Sequence, residues 1–284
     1  MCRLTFYLGE PICMADLVTR PSNSLINQST HARERPEPLN GDGFGVAWYP
    51  EFRTEPTLFK SKTPAWSNAN LHELAEVAHS TCILAHIRAS TSGKFDVSEA
   101  NCHPFRSGRF SFMHNGDVRG FSRIRRALLA SLSDEAFAVI RGTTDTEHLF
   151  ALAVDYLAQQ SGESSCEMLA NALEHTLKRV HELVAEHAAG THLYLNLVLA
   201  DGRHAAACRY STDPNYIDSL YYNVGGKFQC VDGRCMMSPD RGDSRSVLIS
   251  SEPLDADPSW QAVERNGFLM IDADRNLKQR QVRV

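Results

Sequence analysis

A chain of 284 residues, 43% hydrophobic and 22% charged, is long enough to bury one large core or two small ones and reads as a soluble globular protein. A net charge of -5 argues against a general polyanion-binding surface and hence against a nucleic-acid partner. No charged leader precedes an apolar run and no stretch of about 18 apolar residues occurs, so neither a signal peptide nor a membrane span is expected, and the expected compartment is the cytoplasm.

The opening residues Cys2-Arg3-Leu4-Thr5-Phe6-Tyr7 place a thiol one position into a strand-like segment. If Met1 is removed, Cys2 carries both a thiol and a free α-amine. Such groups titrate near ~8.5 and ~8, so the amine can take the thiol proton directly or through one water, and the thiolate is a nucleophile. An ordinary cysteine near a chain start explains the same letters. The eight cysteines lack Cys-x-x-Cys pairs, and a reducing compartment would leave most of them as small buried hydrophobes. Only Cys230 and Cys235 lie close together, and no further ligands of zinc spacing accompany them.

From Arg20 to Pro38, prolines and small polar residues predict a long loop. It leads to Asn40-Gly41-Asp42-Gly43-Phe44-Gly45, a glycine-rich turn feeding an apolar strand; the glycines suit either close backbone approach or a hairpin turn. A helical segment around Asn68 to Ala78 precedes the apolar strand Thr81 to Ile87, which ends on Arg88-Ala89-Ser90-Thr91. Arginine at the end of a buried strand calls for a carboxylate, from the protein or from a ligand. After the turn Asn101-Cys102-His103-Pro104-Phe105, the strand Arg109 to Met113 closes on His114-Asn115-Gly116-Asp117. A side-chain amide beside an unhindered backbone N–H can form an oxyanion hole, and a plain Asn-Gly turn is the alternative.

Helical spacing then takes over at Ile124, Leu128, Leu129 and Leu132, with Arg123, Arg125 and Arg126 on its wet face. Thr144 and Glu147 fit a capping box for an apolar helix over about 146–158, which leaves Asp145 ambiguous between cap and site. A third helix, about 165–189, carries Leu169, Leu173, Leu177, Val180 and Val184 on one stripe and stops at Gly190; His175, His181 and His187 read as surface residues. Leu193 to Ala200, Asp201-Gly202 and Ala205 to Tyr210 predict a β-hairpin, with later strands at Leu220 to Val224, Val247 to Ser250 and Phe268 to Ile271. Strands, a helical block and strands again favour an α+β fold of antiparallel sheets covered by helices, with no linker that would split it, so one domain over 1–284 is expected.

Taken together and in this order, Cys2, Asn40 to Gly45, Ala85 to Thr91, Asn101 to Phe105, His114-Asn115-Gly116, Thr144 to Glu147 and Ser250-Ser251-Glu252-Pro253-Leu254 resemble the class II glutamine amidotransferases of the N-terminal-nucleophile hydrolase superfamily. Within it the chain is most similar to the stand-alone γ-glutamyl amidohydrolases of the glutathione-degradation and ergothioneine-pathway type. The resemblance implies a four-layer αββα sandwich, Cys2 as nucleophile with its freed amine as base, and Asn115 with the Gly116 N–H as oxyanion donors. It further implies Arg88 for the substrate α-carboxylate, Asp145 for its α-ammonium, and neither metal nor cofactor. Ala89 and Ser92 stand where synthase-linked members have tryptophan and histidine, which leaves Thr91 as the candidate for an additional carboxylate contact. The implied partner is a γ-glutamyl small molecule, with a peptidase or synthase subunit as a possible second chain. Three functions remain open: γ-glutamyl hydrolysis, ammonia supply to a separate synthase, and non-catalytic γ-glutamyl binding.

Overall fold

The computed structural model describes residues 2–34, 39–89, 97–215, 218–231, 234–239 and 245–284. A seven-stranded antiparallel sheet holds β1 (Arg3–Cys13), β2 (Phe44–Trp48), β3 (Thr57–Ser61), β4 (His79–Ile87), β9 (Tyr221–Gly225), β12 (Ser246–Ser250) and β13 (Gln261–Ala262), in the order β13-β9-β12-β1-β4-β2-β3. A six-stranded sheet holds β5 (Phe105–Ser107), β6 (Phe110–Val118), β7 (Leu193–Ala200), β8 (Ala205–Ser211), β14 (Gly267–Ile271) and β15 (Leu277–Gln281), in the order β15-β14-β8-β7-β6-β5. β10 (Phe228–Val231) and β11 (Arg234–Met237) form a separate ribbon.

Three apolar layers separate four structural ones. Leu4, Phe6 and Leu8 of β1 meet Val198 and Leu269 between the two sheets. The outer face of the first sheet packs against α1 (Ala15–Val18), α2 (Leu25–Thr30) and α3 (Ala69–Val77) through Leu17, Leu25 and Leu71. The outer face of the second is covered by α4 (Phe121–Ala130), α5 (Asp134–Phe137), α6 (Asp145–Ala158) and α7 (Cys166–His187), with the predicted stripe Leu169, Leu173, Leu177, Val180 and Val184 facing inward. The fold is thus an α+β, four-layer αββα sandwich, and His175, His181 and His187 lie on its surface as expected. β1 is central in its sheet and buried on both faces, so it reads as a nearly continuous apolar run rather than an alternating one.

Four local expectations change. The stretch expected as an unbroken loop from Arg20 contains α2, whose first turn is held by the Ser24 hydroxyl accepting from Asn27 N; six residues are too few to show a helical period. Asn115-Gly116 does not turn: β6 runs through both, with Asn115 opposite Asn196 and Gly116 opposite Leu195. Asn40 to Gly43 is no hairpin turn either, because β2 is paired to β3 and β4 and the loop instead lies on Arg88, with Asp42 N donating to Arg88 O and Arg88 N to Gly43 O. Finally, Cys230 and Cys235 face each other across the β10–β11 ribbon and form a disulfide instead of two separate thiols; the other six cysteines are free. Among the described residues no helix is long and apolar enough to cross a membrane.

Candidate active site

Cys2 precedes the central strand of the first sheet, and the antiparallel pairing of Arg3 with Ile87 brings the end of β4 alongside it. The thiol is held by one backbone unit: it accepts from Ala89 N at 3.4 Å and donates to Ala89 O at 3.6 Å. Arg88, 4% exposed, is locked in place by the two backbone bonds to the glycine loop. Gly43 has φ +105°, and a Cβ there would lie 2.7 Å from the Cys102 sulfur, so this loop approaches closely only because it is glycine.

Arg3, the residue after Cys2, ties the chain start to a distant segment. Arg3 Nη1 donates to Cys2 O at 3.1 Å, and Nη2 pairs with Glu252 Oε1 at 3.2 Å, both side chains being fully buried. Glu252 also accepts from the backbone N–H of Arg33 and Glu34, at 3.0 and 3.3 Å, and so ties the end of the 20–34 segment to the root of β1. Burial lowers the Arg3 pKa and the Glu252 carboxylate opposes that shift. Breaking a buried pair leaves the surviving charge uncompensated, so Glu252→Gln should lower unfolding free energy by about 3–5 kcal/mol, read as a shift of the urea midpoint; an unchanged midpoint would show that the pair is dispensable.

From the opposite sheet, β6 brings His114, Asn115 and Gly116 to the same end of the sandwich. The Asn115 amide Nδ2 lies 3.4 Å from Ser251 Oγ, which also accepts Leu4 N at 3.0 Å, while Asn115 Oδ1 is buried without a hydrogen-bond partner. Gly116 has φ +138°, and a Cβ there would fall 1.8 Å from Tyr194 O and 2.6 Å from His114 Nε2; no larger residue fits. His114 Nε2–H donates to Tyr194 O at 3.2 Å, and Nδ1 lies 3.0 Å from Thr146 Oγ1. His86 Nε2–H donates to His114 O at 3.1 Å and its ring lies 4.2 Å from that of His103. Burial pushes the pKa of His86 down to about 3 and that of His103 well below its ordinary value.

Asp145 is the first residue of α6 and only 5% exposed. Its Oδ2 accepts Val118 N at 2.9 Å and its Oδ1 accepts Thr146 N at 2.8 Å, with Thr146 Oγ1 a further 3.4 Å from Oδ1, which fixes the carboxylate while leaving a lone pair on Oδ2. The capping box forms by half: Thr144 Oγ1 accepts Glu147 N, but the Glu147 carboxylate reaches Gly142 N rather than the Thr144 backbone. Cys2, Arg88, Gly116 and Asp145 line one narrow cleft together with Ala89, His103, His114, Asp117, Thr144 and Thr146. Asn115 does not line it and sits directly behind, 1% exposed. Thr91 lies outside the described residues. Sequence reasoning gave no role to Ser251, His114 or Thr146; the first stands in the late strand motif and the second adjoins Asn-Gly, but only the sheet-to-sheet packing joins them to Cys2.

The profile of the class-II glutamine amidotransferases matches residues 19–282. The chain belongs to this family. Class II amidotransferases are amidohydrolases, and so is this chain. Its relatives include the probable glutamine amidotransferase DUG3 of Saccharomyces cerevisiae, 37% identical over 95% of this chain and 82% of the yeast protein. The γ-glutamyl-hercynylcysteine sulfoxide hydrolase of Mycolicibacterium smegmatis is 26% identical over 93% of this chain and 92% of its own. Among solved structures, a glutamine aminotransferase class-II domain protein from Silicibacter pomeroyi superimposes with a TM-score of 0.68 at 28% identity over the whole of both chains. The fold shared with these amidotransferases is that of the N-terminal-nucleophile hydrolases.

Proposed function

We propose that this amidotransferase hydrolyses a γ-glutamyl amide bond and releases glutamate, with Cys2 as nucleophile once Met1 has been removed. The observation that carries this reading is the convergence of Cys2, Arg88, Gly116 and Asp145 on one cleft. A γ-glutamyl group has one anion and one cation at its far end; Arg88 takes the carboxylate and Asp145, already oriented by two backbone N–H groups, takes the ammonium. The matched family span begins at residue 19, so the role given to Cys2 rests on its position rather than on the match. The Mycolicibacterium smegmatis relative is a γ-glutamyl-hercynylcysteine sulfoxide hydrolase, which agrees with the substrate class.

The Cys2 amine accepts the thiol proton, and sulfur attacks the γ-carbonyl. Gly116 N–H and Asn115 hold the oxyanion. Asn115 becomes a donor when its amide turns end for end: Ser251 Oγ–H then gives its hydrogen to the unpartnered Oδ1, and Nδ2 is released for the substrate oxygen. The C–N bond breaks, the leaving amine takes the proton held by the Cys2 amine, and a γ-glutamyl thioester remains. Water adds to the thioester, the C–S bond breaks, and glutamate leaves with the thiol restored. In Ser251→Ala the amide loses this anchor, and kcat should fall by roughly tenfold with KM nearly unchanged, as expected for a misoriented oxyanion donor. Equal loss in KM and no loss in kcat would remove Ser251 from this role.

The experiment for the reading is glutamate release from glutamine, γ-glutamyl peptides and the same compounds acetylated on the α-amine. Losing one charge-assisted contact to Asp145 should slow the acetylated compounds by roughly 10- to 100-fold in kcat/KM. Equal rates would overturn the assignment of Asp145. Preference for glutamine that grows with a second chain would favour ammonia supply to a synthase; the peptidase partner is tested by the same comparison. Binding without turnover would favour the non-catalytic reading. We further propose one domain over 1–284 and a cytoplasmic site of action.

A further inference from the structure

A second cleft, of ≈ 620 Å³ against ≈ 40 Å³ at Cys2, lies where the edge strands of the two sheets meet. β3 ends the first sheet and β5 the second, and Arg106 Nη1 spans them by donating to Pro56 O at 2.8 Å. Leu58, Phe59, Phe105 and Val139 give the cleft apolar walls, and Lys60 and Glu147 stand among them.

Lys60 is the unusual member. Its ammonium sits 4.4 Å from the centre of the Phe105 ring, and among the described residues it forms no ion pair with a carboxylate. The nearby Glu147 carboxylate is engaged by Gly142 N. Burial pulls the Lys60 pKa down to about 8. A half-buried ammonium over one ring face, with no carboxylate paired to it among the described residues, is an arrangement that an incoming anion would stabilise. Arg106 and Arg141 on the wall add positive potential, whereas Glu99 and Glu147 oppose a second negative charge on the ligand. A pocket with apolar walls and few convergent polar groups is the general form of a small-molecule site.

We propose that this cleft binds an organic monocarboxylate, its carboxylate on Lys60 Nζ and its apolar body against Phe59 and Phe105. The site is separate from Cys2 and does not depend on the γ-glutamyl reading. Benzoate is a suitable probe and benzamide its uncharged counterpart. Under brief treatment of the wild-type chain with acetic anhydride, benzoate should slow acetylation of Lys60 at least about fivefold relative to benzamide, as a site four-fifths occupied requires, with exposed Lys62 unaffected. Benzoate should also raise the melting temperature of the wild type but not of Lys60→Met, which keeps the length of the side chain and removes the charge. Equal Lys60 acetylation in benzoate and benzamide would overturn the proposal, as would the same benzoate-induced rise in Lys60→Met. The labelling is done on the unaltered chain, so a variant that fails to fold does not shield the proposal.

Discussion

Cys2→Ala is expected to lower glutamate release by at least about four orders of magnitude while leaving glutamate binding in place, because removal of a nucleophile stops the chemical step without touching the groups that hold the glutamyl end. Arg88 is positioned by backbone bonds to Gly43 and Asp42, and Asp145 by Val118 N and Thr146 N, none of which involves the thiol. The thiol itself hydrogen-bonds only with the Ala89 backbone among the described residues, so its loss leaves no buried charge unpaired and the fold should be unaffected. Calorimetric binding of glutamate by the variant, beside a continuous assay of release, separates the two effects. Retention of more than a few per cent of wild-type release would remove Cys2 from the mechanism.

Acid should destabilise the protein well before its carboxylates are titrated. In the unfolded chain His86 takes a proton near 6.5, whereas in the folded chain burial holds its pKa at about 3. The unfolded state therefore binds more protons between these values, so the stability is complete above about pH 6.5 and is lost progressively as the pH falls toward 3, at about 1.4 kcal/mol per unit. Between pH 7 and pH 5 this amounts to about 2 kcal/mol for His86, and His103, shifted in the same direction, adds to it. The rings cannot simply turn to water: His86 donates to the His114 carbonyl, its ring lies 4.2 Å from the tilted ring of His103, and its Nδ1 is buried without a partner. Urea midpoints at pH 7, 6 and 5 check this, and a His86→Gln chain should show a shallower dependence. A midpoint constant from pH 7 to pH 5 would contradict it.

Much of this architecture was legible in the chain. The stripe Leu169, Leu173, Leu177, Val180, Val184 announced a helix with one buried face, and Asp201-Gly202 between apolar runs announced the β7–β8 hairpin, because each signal is local and repeats. The motifs single out Cys2, Arg88, Gly116 and Asp145 as candidates, and these four line one cleft, whereas Asn115 does not line it and Thr91 lies outside the described residues. What stayed hidden depends on partners far away in the chain. Asn115-Gly116 has the letters of a turn, yet β7, nearly eighty residues later, pairs with it and makes it strand, and the glycine is required by Tyr194 O rather than by a bend. The Arg3–Glu252 pair and the Ser251 contact to Asn115 join chain positions that no spacing rule relates. Lys60 gave no signal at all, since a lone lysine on an edge strand is ordinary until Phe105 is placed under it.

The central claim is that turnover passes through the thiol of an N-terminal Cys2. The most direct measurement is mass spectrometry of the N-terminal peptide after the enzyme, working on saturating γ-glutamyl substrate, is quenched in acid. The account predicts a peptide that begins at Cys2 and carries one glutamyl residue on sulfur, removable by hydroxylamine. Full turnover by chains whose N-terminal peptide still begins at Met1, or whose Cys2 thiol has been blocked, would contradict it.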